Sequence, residues 1–184
     1  TYAGSFSTVA ATNNPCNPAD DGRGYAGVTK QLTYVQTGAG SPTLDLTNPP
    51  TFYAITTSPT NNPVTSARLQ VPGGPLLTLT NYFGASFMDW EEYATQSALD
   101  TARPNGTYPL QLTRTAGGPP SAGINLTGSY PPTPQILNYT AAQAIGASTN
   151  FVLQWNGFTG ATASDSIGLV LHSGGWTWTA PDPC

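Results

Sequence analysis

Apolar and polar positions alternate with a period of two along much of this chain, and turn residues interrupt the alternation at short, regular intervals. Tyr25 to Gln36 reads as an extended stretch with Val28, Leu32, Tyr34 and Val35 as the buried positions. Shorter stretches follow at Thr43–Leu46, Thr51–Thr56, Val64–Val71, Leu76–Thr80, Thr107–Thr113 and Ile124–Leu126. Gly38-Ala39-Gly40, Asn48-Pro49-Pro50, Asn61-Asn62-Pro63 and Pro72-Gly73-Gly74 mark turns between them. Successive side chains of a strand point to opposite faces, so this alternation predicts strands buried on one side. Many short strands between turn signals predict an all-β sandwich or barrel. Thr1–Thr12, TYAGSFSTVAAT, alternates too. Tyr2 and Phe6 share one parity while Val9 and Ala11 share the other, which predicts a strand with a bulge or kink.

One stretch has helical spacing. In Asp89–Ala102, Trp90, Tyr93, Ala94 and Ser97 stand at i, i+3, i+4 and i+7, and Arg103-Pro104 stops the pattern. Asp89 is placed as the N-cap with Glu92 at the capping-box position, so one short helix is expected as a lid over one end of the β-structure.

Downstream, Phe151, Leu153 and Trp155 alternate as a strand, and Ile167–Leu171 follows as another. A large Trp facing a neighbouring strand anchors the two sheets of small sandwiches. From Tyr130 to Leu171 the chain carries P-x-P-x-I-x-N, A-A-Q-A-I, F-x-L-x-W-x-x-F-x-G and D-x-I-x-L. This stretch resembles fibronectin type III or immunoglobulin-like modules of large secreted bacterial surface proteins. The run Pro104–Leu112, PNGTYPLQL, extends the resemblance upstream to about Val64. The resemblance implies one or two β-sandwiches and no particular chemistry. The proline cluster at Tyr130–Pro134 divides residues 1–128, a β-sandwich, from 129–184, an incomplete fibronectin-like one. A complete module needs about seven strands and roughly 100 residues. The missing strands therefore come from the first part of the chain or from another molecule, or 129–184 is a fragment.

Composition narrows the setting. Only 8% of the 184 residues are charged, against about 25% in an average soluble protein. Twenty glycines and 18 prolines would suit a disordered chain, but 38% hydrophobic residues with four Trp, nine Tyr and six Phe are enough to fill a core. Low charge with many turn residues describes an extracellular protein. A net charge of −4 with five basic residues excludes a cationic surface for nucleic acid. No apolar run is long enough to span a membrane, and the start carries no signal-peptide pattern, as expected where such a segment is already removed. The two cysteines, Cys16 and Cys184, are expected to form one disulfide that ties the end of the chain back to its start, in place of two free thiols. Closing so long a loop stabilises by roughly 4–5 kcal/mol in the chain-entropy model.

The candidate chemistry is sparse. His172 is the single histidine and has no partner to build a zinc site or a triad. Asp20 and Asp21 lack the rest of a calcium loop. Asp89, Glu91 and Glu92 favour a helix dipole over the two opposed carboxylates of a glycosidase. No enzyme, cofactor or metal is expected. Trp176 and Trp178 project to one side of a strand, either as a flat platform for a glycan or as a cap on the core. Asn105, Asn125 and Asn138 open N-x-Thr sequons and are acceptors if the source glycosylates secreted proteins. Thr1–Thr12, with Tyr2, Phe6 and Val9 as its apolar positions, has the form of a donor strand that completes a neighbour's sheet. The expectation is an extracellular structural protein, the homopolymer subunit of a surface filament. The alternative is a carbohydrate-binding or adhesion module with polysaccharide as partner.

Overall fold

A computed structural model describes residues 2–9, 26–58, 63–82, 84–116, 121–130, 132–146, 148–157, 170–173 and 176–179, with the backbone alone for 2–9, 121–122, 170–173 and 176–179. The strands are β1 (Tyr2–Val9), β2 (Ala26–Gln36), β3 (Thr43–Leu44), β4 (Thr51–Thr57), β5 (Val64–Gln70), β6 (Leu76–Tyr82), β7 (Ser86–Glu92), β8 (Gly106–Arg114) and β9 (Ser121–Leu126), followed by β10 (Val170–Ser173) and β11 (Trp176–Thr179). Two short helices, α1 (Gln96–Ala102) and α2 (Tyr139–Ala142), interrupt them. The all-β expectation holds for these residues. One antiparallel sheet runs in the order β1-β2-β4-β7-β6-β5-β8-β9, with β3 added on β2, and β10 pairs with β11 apart from it.

The sheet bends at β6. Leu76 to Leu79 pair with β5, whereas Thr80 to Tyr82 pair with β7. The two halves thereby curl around one core. Val28, Leu32, Phe52, Ala54 and Phe87 enter it from the first half, and Ala67, Leu69, Leu79, Tyr108, Leu110, Ile124 and Leu126 from the second. The Phe52 and Tyr108 rings stack across it with centroids 5.9 Å apart. Leu99 of α1, fully buried, closes one end.

Local sequence accounts for the elements. In β4 Phe52, Ala54 and Thr56 are buried, and in β8 Tyr108, Leu110 and Arg114 are buried with Leu112 half-buried, as period-two patterning requires. The β5–β6 turn runs through Pro72-Gly73-Gly74. Gly73 takes φ of +64°, and a Cβ on Gly74 would sit 2.9 Å from Val71 Cγ1. Glycine is needed at both places.

Three expectations change. The Asp89–Ala102 helix is a strand followed by a shorter helix. Asp89 to Glu92 belong to β7, where Trp90 pairs with Tyr53 and Asp89 with Ala54. The helix starts only at Gln96, and Thr95 caps it by accepting a 3.1 Å bond from Ala98 N. Cross-strand pairing with β4 outweighs the weak helical periodicity of Trp90 and Tyr93. One short helix becomes two, since α2 is added. The strand expected at Phe151–Trp155 reduces to a single bridge between Ile136 and Trp155. There the Asn138 amide occupies the backbone, donating to Val152 O at 2.7 Å and accepting from Gln154 N at 2.9 Å. Trp155 is 43% exposed and does not anchor a core.

Removing the observed cap tests this reassignment. Thr95→Ala is expected to cost about 1 kcal/mol in urea unfolding, and Asp89→Ala to leave far-ultraviolet helix content unchanged.

Candidate functional site

The outer face of the first half-sheet carries the most exposed aromatic group described. Tyr53 on β4 lies between the buried Phe52 and Ala54, so its ring faces outward. Directly opposite on β7, Trp90 stacks on it, with centroids 6.2 Å apart and planes 9° from parallel. Trp90 keeps 59% of its surface exposed. The reason lies in the bend: the β6–β7 ladder ends at the Thr80–Met88 pair, so among the described residues Trp90 has a cross-strand neighbour only on the β4 side. Thr29 and Gln31 of β2, with Glu92 and Thr80, occupy the same face by register and supply hydroxyl, amide and carboxylate groups. Tyr82, 46% exposed, lies on this face too, roughly 13 Å along the strand direction from Trp90.

Behind this face the end of α1 is tied to β4 and β7. Arg103, at the end of α1, is buried with its guanidinium 5.3 Å from the Phe52 ring centroid and 5.9 Å from that of Tyr93. Arg103 Nη2 and the Tyr93 hydroxyl both donate to Glu91 Oε2. Burial, with the bond to Glu91, raises the Tyr93 pKa above the ordinary tyrosine range. Burial also raises that of Asp89, although Arg103 opposes the shift.

On the opposite side a cleft of about 390 Å³ is lined by Lys30, Asp100, Asn105, Leu126 and Tyr130 among others. Buried Lys30 donates from Nζ to Asp100 Oδ1 at 2.8 Å and to Asn105 Oδ1 at 3.3 Å. The Tyr130 hydroxyl donates to the same Asp100 oxygen at 2.9 Å. Burial and then that bond raise the Tyr130 pKa beyond the usual range. Nearby, burial pushes Tyr108 up to about 12, and its hydroxyl donates to Pro104 O at 2.7 Å.

The residues expected from sequence are scattered. Tyr2, Phe6 and Val9 lie on β1, antiparallel to β2 of the same chain, opposite Gln36, Leu32 and Thr29. Trp178 and Trp176 on β11 pair with Leu171 and Ser173 of β10, and His172 pairs with Thr177. Cys16, Cys184, Asp20 and Asp21 fall outside the described residues. Asn125 is exposed and accepts from Thr107 Oγ1 at 2.7 Å. The Nδ2 atoms of Asn105 and Asn138 donate to Gly128 O and Val152 O, each at 2.7 Å. A glycan on either would displace that bond. Asp89, Glu91 and Glu92 lie on the two faces of one strand, β7, and so serve no helix dipole. Among the described residues no three His, Cys, Asp or Glu side chains gather to hold a metal, and no helix is long and apolar enough to cross a membrane. No local pattern in the sequence points to the Tyr53–Trp90 pair, because only the register of β4 against β7 joins them.

No family model, curated protein or solved structure matches this chain.

The raised tyrosines make stability pH-dependent. The folded protein holds these protons more tightly than the unfolded chain, so their contribution is complete below the ordinary value of 10.0 and falls as pH rises through the folded values. Urea midpoints are expected to drop above pH 10.0, through about 12 for Tyr108. Tyr108→Phe is expected to cost about 1 kcal/mol at neutral pH and to flatten part of that alkaline decline.

Proposed function

We propose that this chain is a secreted, non-enzymatic β-module that adheres to polysaccharide through the outer face of its first half-sheet. The observation that carries this reading is the Trp90 indole, propped on one side by Tyr53 and open on the other. A pyranose ring presents axial C–H groups on one face, and these pack against an aromatic π-face with little loss of conformational entropy when the ring is already held. Hydroxyl groups at the sugar's rim would find Thr29, Gln31, Thr80 and Glu92. The surface suits a neutral glycan better than a polyanion: Lys30, Arg103 and Arg114 are buried, and among the described cations only Arg68 is exposed. The favoured ligand class is a β-linked glucan or chitin-like chain, whose extended form presents flat rings.

The filament reading keeps one supporting observation. β1 occupies the sheet edge and pairs over its whole length with β2, so the same ladder could form between copies by strand exchange. An immunoglobulin-like sandwich remains the fold reading most compatible with two half-sheets around one core and with the resemblance of Tyr130–Leu171. Both readings place the chain outside the cell.

Electrophoresis through gels containing soluble glucans, with pull-down on cellulose and chitin, tests the site. Trp90→Ala is expected to weaken retention by tenfold or more, about 1.4 kcal/mol, with unchanged thermal unfolding. Trp178→Ala is expected to bind as the parent does. Loss in Trp178→Ala alone would move the platform to β11. Absence of binding across the panel, with regular filaments in electron micrographs that vanish when residues 1–12 are deleted, would replace this reading with strand exchange.

A further inference from the structure

We propose that Lys30 and Asn105 are the two halves of an intramolecular amide cross-link, with Asp100 transferring the protons of its formation. Lys30 sits on the core side of β2 between Val28 and Leu32 and is only 4% exposed. Its Nζ touches two groups that differ in chemistry: the Asp100 carboxylate at 2.8 Å and the Asn105 carboxamide at 3.3 Å. Oδ1 is bonded to Cγ, so this contact sets the amine beside the carboxamide whose Cγ is the electrophilic carbon. The other groups are fixed in place. The Asn105 Nδ2–Gly128 O bond of 2.7 Å holds the plane of the carboxamide, and the Tyr130 hydroxyl holds the carboxylate. A buried ammonium is stabilised by its partner carboxylate but still loses most of its hydration. Conversion to a neutral amide ends that penalty, which gives the reaction a driving force that a surface Lys–Asn contact lacks.

The step balances without a further reagent. Asp100 accepts a proton from the Lys30 ammonium, and the free amine pair attacks Cγ of Asn105. The carbonyl pair moves to Oδ1, and the C–N bond to Nδ2 breaks as the pair returns. Nδ2 departs with the proton held by Asp100 and the proton released from Nζ. An ammonium and a carboxamide become a secondary amide and ammonium ion, with charge conserved. The cleft opens on these atoms and lets the leaving group reach solvent. Proximity of this kind substitutes for catalysis by a separate enzyme. The bond would join positions 75 apart in sequence, stapling β2 in the first half-sheet to the turn that enters β8 in the second. It would also remove Asn105 as a glycan acceptor. The inference does not depend on the glycan reading.

Mass spectrometry of the whole, denatured protein tests it. The parent is expected to be lighter than its sequence mass by one ammonia, and its digest to contain a branched peptide joining Lys30 to Asn105 when fragmented. Lys30→Arg, Asn105→Ala and Asp100→Asn are each expected to keep their full sequence mass. A parent at full sequence mass overturns the proposal. So does an ammonia loss mapped to an unbranched peptide, because Asn105-Gly106 can cyclise to a succinimide with the same mass change. A branched peptide that persists in Asp100→Asn overturns the role given to Asp100.

Discussion

The architecture depends on one strand dividing its hydrogen bonds between two partners. Had β6 paired with β7 along its whole length, the sheet would continue past Trp90 and its two halves would not face each other. Because Leu76–Leu79 turn to β5 instead, apolar faces that would otherwise lie in water close on one another. Phe52 and Tyr108 meet there, and each fully buried aromatic contributes roughly 1.5–3 kcal/mol through area removed from water. Arg103 lies against Phe52 at the rim, its charge answered by Glu91.

The same bend shapes the outer surface. It ends the ladder beside Trp90 and leaves one flank of the indole uncovered, while Tyr53 stacks on the ring from the β4 side. The core and the exposed aromatic pair therefore lie on opposite faces of the same two strands, β4 and β7. Few charges are available, and most described cations are used inside: Lys30 with Asp100, Arg103 with Glu91. What remains outside is a face of hydroxyls, an amide, the Glu92 carboxylate and aromatic rings, with Ile55 and Met88 beside them.

Much of this was legible from period-two patterning. Of the four positions expected to be buried in β2, Val28 and Leu32 line the core while Tyr34 and Val35 are half-buried; the extents of β4, β5, β6 and β8 follow the alternation closely. Where the reading failed, long-range pairing decided between two local patterns. Trp90 and Tyr93 fit a helical spacing as well as a strand, and only the β4 partner, distant in sequence, settles the matter. At Phe151–Trp155 the alternation is clear, yet no neighbouring strand is available beyond Ile136 among the described residues. Trp176 and Trp178 stand two apart in one short stretch, so the sequence alone groups them. Tyr53 and Trp90 are adjacent only through register, which no local pattern reveals. Lys30 near Asn105 was hidden for the same reason.

If the two halves of the curled sheet share one core, they must open together. Hydrogen exchange of the whole chain, followed by mass spectrometry under native conditions, reads this directly. The account predicts that the slowest amides of β4 and of β8 exchange with opening free energies equal to within about 1 kcal/mol, through one global transition. Two sets of amides separated by several kcal/mol, with β5, β8 and β9 opening while β2, β4 and β7 stay protected, would contradict it.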